Sequence, residues 1–173
     1  MGYSHYWTMP PGHRAYVTAW ATIVADTRRI IDAVREHGVV IAGPDGWRRP
    51  TLDPHEHGIA FNGDASTDLA ADTFALAPPL AIAPAHPAPF CCKTNGKPYD
   101  VAVAAVLLRC TLLLPDVFLL RSDGTWDGEW ARSASPVARR ALPSPRDIVA
   151  ALFGPVPDTS PFADPTIQPY WEG

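Results

Sequence analysis

The segment Phe90-Cys91-Cys92-Lys93-Thr94-Asn95-Gly96-Lys97-Pro98-Tyr99-Asp100 holds the only two lysines of the chain, whose other basic side chains are twelve arginines. An ammonium is a compact, rotatable charge with a tunable pKa, whereas a guanidinium is a rigid, permanently charged fork. In a sequence this rich in Ala, Pro and Arg, a retained lysine marks a place for chemistry that arginine does not offer. Pro98 reads as the first residue of a helix and Lys97 as its N-cap. The N–H groups of Tyr99 and Asp100 then point back toward Lys93, Thr94 and Lys97. Helix-terminal amides, two ammonium groups and a hydroxyl form an anion site, suited to a phosphate or carboxylate. The same residues also admit a plainer reading, with solvated lysines, Asp100 answering the helix dipole and Asn95-Gly96 serving only as a turn.

Other candidates surround this block. A thiol of Cys91 or Cys92, near a helix N-terminus and two lysines, is expected to have a lowered pKa, which makes Cys91 a candidate nucleophile with His5 as base. Against that, cysteine is among the most buried residue types, and one of two adjacent cysteines must face the core. Cys110 lies inside an apolar helix and reads as packing. His5, Tyr6 and Asp100 are the candidates for proton transfer. Tyr3, Trp7 and Tyr99 are placed to flank a ligand ring, and Asn62 joins Lys93, Thr94 and Lys97 in the binding set. His55 and His57 alternate, so on an extended segment they share a face and could ligate one metal ion. No third or fourth ligand is evident, and solvated histidines are the simpler reading. Arg109, in an apolar helix, is expected to pair with an Asp or Glu.

The elements that must position these residues follow from the apolar pattern. Gly2 to Met9 reads as a first strand, with Tyr3, His5 and Trp7 on one face and Ser4, Tyr6 and Thr8 on the other. Val17, Trp20, Val24, Thr27, Ile31 and Val34 form the stripe of an amphipathic helix that stops at Gly38. Short strands are expected at Val39 to Ala42, Gly58 to Asn62 and Asp72 to Leu76. Five prolines between Ala77 and Pro89 make an extended loop that leads into the Cys-Lys block. Pro98 to Leu114 is apolar on nearly every side, the mark of a buried helix. A fifth strand at Val117 to Leu120, a turn at Ser122 to Thr125, a return segment at Trp126 to Trp130 and a helix at Pro145 to Phe153 complete the pattern. This order predicts an α+β fold: a mostly antiparallel sheet with two long helices on one face, compatible with a ferredoxin-like split βαβ sandwich.

At 173 residues and 47% hydrophobic content the chain can bury a real core, and one domain over residues 1–153 is expected, followed by a Pro-rich irregular tail at 154–173. A formal net charge of −4 gives no basic surface for a nucleic-acid polymer. There is neither an apolar run long enough for a membrane span nor a basic-then-apolar leader, so a cytoplasmic protein with no membrane partner is expected. Three cysteines do not make a disulfide framework. The dinucleotide and P-loop fingerprints are missing, and no cofactor is named by any motif.

The start Met1-Gly2-Tyr3-Ser4-His5-Tyr6-Trp7, the segment Ile59-Ala60-Phe61-Asn62-Gly63, the block Phe90 to Asp100 with its helix, and Ser122-Asp123-Gly124 together resemble a group of short uncharacterised proteins from bacteria and their phages. The resemblance implies one recurring pattern that takes in Tyr3, His5, Tyr6, Trp7, Asn62, Lys93, Thr94, Lys97, Tyr99 and Asp100, but no activity. The version associated with the group has one cysteine in the block and an Arg or similar residue near Gly96.

Three functional expectations result. The first is a protein, enzymatic or not, that binds an anionic small molecule such as a nucleotide or phosphorylated metabolite at the N-terminus of the second long helix. The second is a non-catalytic interaction or sequestering protein that meets a protein partner through exposed tryptophans and the tail. The third is a metalloenzyme centred on His55 and His57.

Overall fold

Helix α1 (Arg14–Glu36) turns Trp20, Ile23, Val24, Thr27, Ile30, Ile31 and Val34 inward, the 3.6-residue period expected of an amphipathic helix. It begins earlier than the apolar stripe. His13 is the N-cap and its side chain accepts the Ala15 N–H, so Val17 falls on the solvent face. At the other end Gly38 takes φ 83°, a left-handed stop that costs glycine little. The computed structural model describes residues 2–9, 12–79, 89–132 and 142–164.

Two three-stranded antiparallel sheets accompany the helices. In the first, β1 (Ser4–Thr8) is central, between β5 (Phe90–Lys93) and β6 (Leu119–Ser122). The register sets His5 opposite both Cys92 and Ser122. In the second, β3 (Gly58–Phe61) lies between β2 (Thr51–Asp53) and β4 (Phe74–Leu76). Trp7 of the first sheet meets Phe74 of the second at 5.4 Å between ring centroids, and both are buried. The α+β class and the antiparallel pairing are as expected. The ferredoxin-like arrangement is not established, because β1 has antiparallel neighbours on both sides and the described strands form two sheets.

Helix α2 (Asp100–Leu113) buries every residue from Val101 to Leu108, as its all-round apolar sequence requires. It packs against α1 and against α3 (Pro145–Phe153). Ser144 and Asp147 close a capping box at the start of α3, with Pro145 inside the first turn. Arg109 finds the expected carboxylate: its Nε donates to Asp26 Oδ2 at 2.7 Å. The guanidinium also lies over the Phe153 ring, joining all three helices.

Some expected elements differ. Val39 to Ala42 forms a single bridge, Ala42 with Asn62, instead of a strand; Pro44, just beyond, has no N–H with which to extend a ladder. Phe90 to Lys93, at the end of the expected Pro-rich loop, is an edge strand. Residues 155–164 are irregular but not free of the core. The Ala163 N–H donates to Leu120 O at 2.8 Å on the edge of β6. Phe162 sits edge-on to Trp126 and Trp130. Of the tryptophans expected on an interaction surface, Trp7, Trp20, Trp126 and Trp130 are buried and Trp47 is exposed, whereas Trp171 lies outside the described residues. No helix among the described residues is long and apolar enough to cross a membrane.

Candidate functional site

Alternation along β1 sends His5 inward and leaves Tyr6 on the opposite face, where it is half-exposed. Thr94 follows β5, and Asn95 and Gly96 both take positive φ, 55° and 65°. The Lys97 N–H closes this turn on Thr94 O at 3.1 Å. Asn and Gly are the residues that adopt such a conformation most cheaply. The turn carries the chain straight into α2, so Thr94 and Asp100 come to lie beside the same imidazole.

His5 Nε2 stands 2.8 Å from Asp100 Oδ1, and Thr94 donates its hydroxyl to that same oxygen at 2.5 Å. An ionised carboxylate only accepts, so Nε2 carries a hydrogen. On the other side of the ring, Nδ1 lies 3.0 Å from Ser122 Oγ. Ser122 Oγ accepts the Gly124 N–H at 3.0 Å and the Trp130 indole N–H at 3.1 Å. In the neutral ring, Nδ1 is then the acceptor for the Ser122 hydroxyl hydrogen. Tyr3 also hydrogen-bonds Ser122, yet burial, with Asp100 close by, raises its phenol above the usual range. Tyr3 and Trp130 set their rings edge-on to the imidazole, at 5.2 and 5.4 Å. His5 is wholly buried and Asp100 is 17% exposed.

Ser122 also lines a cavity of about 340 Å3 together with Tyr6, Pro89, Arg121 and Asp123. Asp123 is tied to β1: its carboxylate accepts the Ser4 N–H at 2.9 Å and its own N–H donates to Ser4 O at 3.0 Å. The cavity's rim therefore carries Tyr6, Arg121 and Asp123, while the Ser122 hydroxyl is turned inward to His5.

The expected anion site is arranged differently. Tyr99, not Lys97, is the N-cap of α2, and it has helical backbone angles and no side-chain cap bond. The reason is that the Asp100 N–H is already taken by Lys97 O, at 2.8 Å. The Lys97 ammonium donates to Asp68 O at 2.5 Å and stands 3.5 Å from the Asp68 carboxylate. The Lys93 side chain runs beside Gly2. The two ammonium groups thus have separate settings.

The remaining predicted residues divide between core and surface. Tyr99 is buried and donates its hydroxyl to Asp72 O at 2.6 Å; Trp7 packs between Phe74 and Phe90. The Asn62 side chain is consumed by the loop it anchors, accepting from Gly63 and Ala71 and donating to Ala71 O. Contrary to expectation, both thiols of the block have raised pKa values. Burial and the Asp72 carboxylate push Cys91 up, and burial, Asp72 and Asp100 push Cys92 up to about 12. Of the two amides that were to stabilise a thiolate, that of Asp100 is taken by Lys97 O, and the nearby carboxylates oppose the thiolate form. His55 and His57 sit in a turn, not on a strand. The Asp53 carboxylate accepts the N–H groups of His55, Glu56 and His57. The ligand atoms gathered there belong to Asp53, Glu56 and His57, without His55.

Ser122 and Trp130 escaped the sequence reading as site residues, although Ser122-Asp123-Gly124 was recognised as a turn. The signal that finds them is the register of β6 against β1, which a turn motif does not contain. No family model, curated protein or solved structure matches the chain.

Proposed function

We propose that this protein binds a small anionic molecule in the cavity bounded by Tyr6, Pro89, Arg121, Ser122 and Asp123. The observation that carries the reading is the cavity itself, whose volume of about 340 Å3 falls in the range of small-molecule sites. Its wall offers a guanidinium, which matches the planar or tetrahedral oxygens of a carboxylate or phosphate, and the ring of Tyr6, against which an unsaturated group can lie. The anion-binding function read from the sequence is kept, but its seat moves from the α2 N-terminus to the first sheet. A thermal-shift screen with nucleotides and phosphorylated metabolites tests this. A ligand is expected to raise the melting temperature of the unchanged protein and not that of Arg121→Ala. A shift kept by Arg121→Ala and lost in Lys97→Ala would return the site to the helix N-terminus. No shift across the panel would refute both.

A further inference from the structure

We propose that the ligand of this cavity carries a protonated amine as well as its anionic group, the chemistry of an aminoalkyl phosphate or a phosphorylated amino acid, with Asp123 as the residue that selects the amine. The inference rests on the anion reading above and narrows it. Tyr6 and Arg121 are register partners across β1 and β6, and alternation sends Asp123, two residues on from Arg121, to the same face. All three line the cavity, on the side of the sheet away from His5. Among the described lining residues the charged groups are therefore one guanidinium and one carboxylate.

The backbone holds Asp123 in place without neutralising it. Its Oδ2 accepts the Ser4 N–H at 2.9 Å and its own N–H donates to Ser4 O at 3.0 Å. One N–H uses one of the acceptor sites of an ionised carboxylate, and the residue is exposed, so the group keeps both its charge and its capacity to accept. A ligand bearing only negative charge gains at Arg121 and loses at Asp123. Residues two apart on a strand are separated by about 6.6 Å, so both side chains meet one small molecule. A phosphate monoester with an ammonium a few bonds away satisfies the two together. Its phosphate oxygens accept from the guanidinium, and its ammonium donates to the carboxylate and is attracted to the half-exposed ring of Tyr6. A volume of about 340 Å3, near the lower end for small-molecule sites, suits so compact a ligand.

The test uses the full chain and two pairs of probes that differ only in the amine: aminoethyl phosphate against hydroxyethyl phosphate, and phosphoserine against phosphoglycerate of the same skeleton. In each pair a hydroxyl stands in place of the ammonium, and dissociation constants come from isothermal titration calorimetry near neutral pH. At least one amine is expected to bind about fivefold or more tightly than its hydroxyl counterpart, as a charge-assisted hydrogen bond allows, and the preference should fall below about twofold in Asp123→Asn. That substitution removes the charge and keeps an oxygen for the Ser4 N–H; circular dichroism checks its fold, and the probe pairs on the unchanged protein stand without it. Equal affinities within each pair, or tighter binding of the hydroxyl member, with binding lost in Arg121→Ala, overturn the amine and leave the anion reading standing. A preference that survives in Asp123→Asn overturns the assignment to Asp123. If none of the four probes binds at millimolar concentration the proposal is overturned, and the anion reading then stands or falls on the nucleotide arm of the thermal-shift screen.

Discussion

Asp100 carries two buried donors on one oxygen, and this makes a sharp stability prediction. His5 Nε2 and the Thr94 hydroxyl both donate to Oδ1, and both residues are fully buried. In Asp100→Ala neither donor has an acceptor. Each buried unsatisfied donor costs roughly 1–3 kcal/mol, so the pair costs roughly 2–6 kcal/mol. Losing the acid from the first turn of α2 adds about 0.3–1 kcal/mol. The low end of the range applies if water enters beside the site, which the 17% exposure of the Asp100 side chain permits. Asp100→Asn behaves differently. Because both donors use the same oxygen, an amide placed with its carbonyl there keeps both bonds and loses only their charge assistance and the helix-dipole contribution, roughly 1–2 kcal/mol in all.

Urea denaturation followed by circular dichroism and tryptophan fluorescence measures the difference. The midpoint should drop far more for Ala than for Asn, with the slope unchanged. Equal losses in the two variants would refute the shared-oxygen geometry. A loss below about 1 kcal/mol in Asp100→Ala would show that His5 and Thr94 are not the buried dependents described above.

Three further outcomes are expected. Arg109→Met leaves Asp26 with only the longer contact to Arg29, 3.8 Å, and should cost roughly 2–3 kcal/mol, below the usual loss for a broken buried pair because Arg29 remains; Asp26→Leu combined with Arg109→Met should recover most of it in the same denaturation assay. Asp53 raises the pKa of His57 above its ordinary value, so the stabilisation from this pair is present below about pH 6.5 and is lost as pH rises through the higher folded value. An NMR titration of His57 should show the raised midpoint and its return in Asp53→Asn, and an unshifted midpoint refutes the contact. Iodoacetamide near pH 8 should alkylate exposed Cys91 more slowly than a free thiol and leave buried Cys92, with its pKa pushed up to about 12, unmodified. Rapid loss of Cys92 in the folded protein would contradict its environment.

What was legible in the sequence was whatever depends on local pattern. The 3.6-residue period of α1, the all-apolar character of α2, the Pro145 start of α3 and the Asn95-Gly96 turn each express a steric or burial preference confined to a few residues. The pairing of Arg109 with a carboxylate was also legible, because a guanidinium in an apolar helix leaves few other options. The division into two sheets was not, since it depends on which strand edges meet, and the strands are too short for their side chains to dictate partners. The helix start was misplaced because Pro98 fits either the first helical position or the turn before it, and only the Lys97 carbonyl, taken by Asp100, decides between them. His5 and Asp100 were both singled out as proton-transfer candidates, but the side chain that completes their line, Ser122, is set opposite His5 by strand register alone.

The two lysines led to the right block for a reason other than their charge. Their segment is where a left-handed turn must fold Thr94 back under the first turn of α2, and the same turn brings Asp100 to the imidazole of β1. A fully buried histidine is tolerable only if both ring nitrogens are met, and here the partners come from the start of α2 and the end of β6. Trp130 adds a donor to Ser122 and is itself covered by Phe162, while Ala163 bonds the β6 edge that presents Ser122. The polar line is therefore closed by the segment after α3, which makes residues 155–164 part of the site's support and not an appendage to the domain. Substitutions at Phe162 should accordingly be felt at His5, through Trp130, before they are felt anywhere in α1.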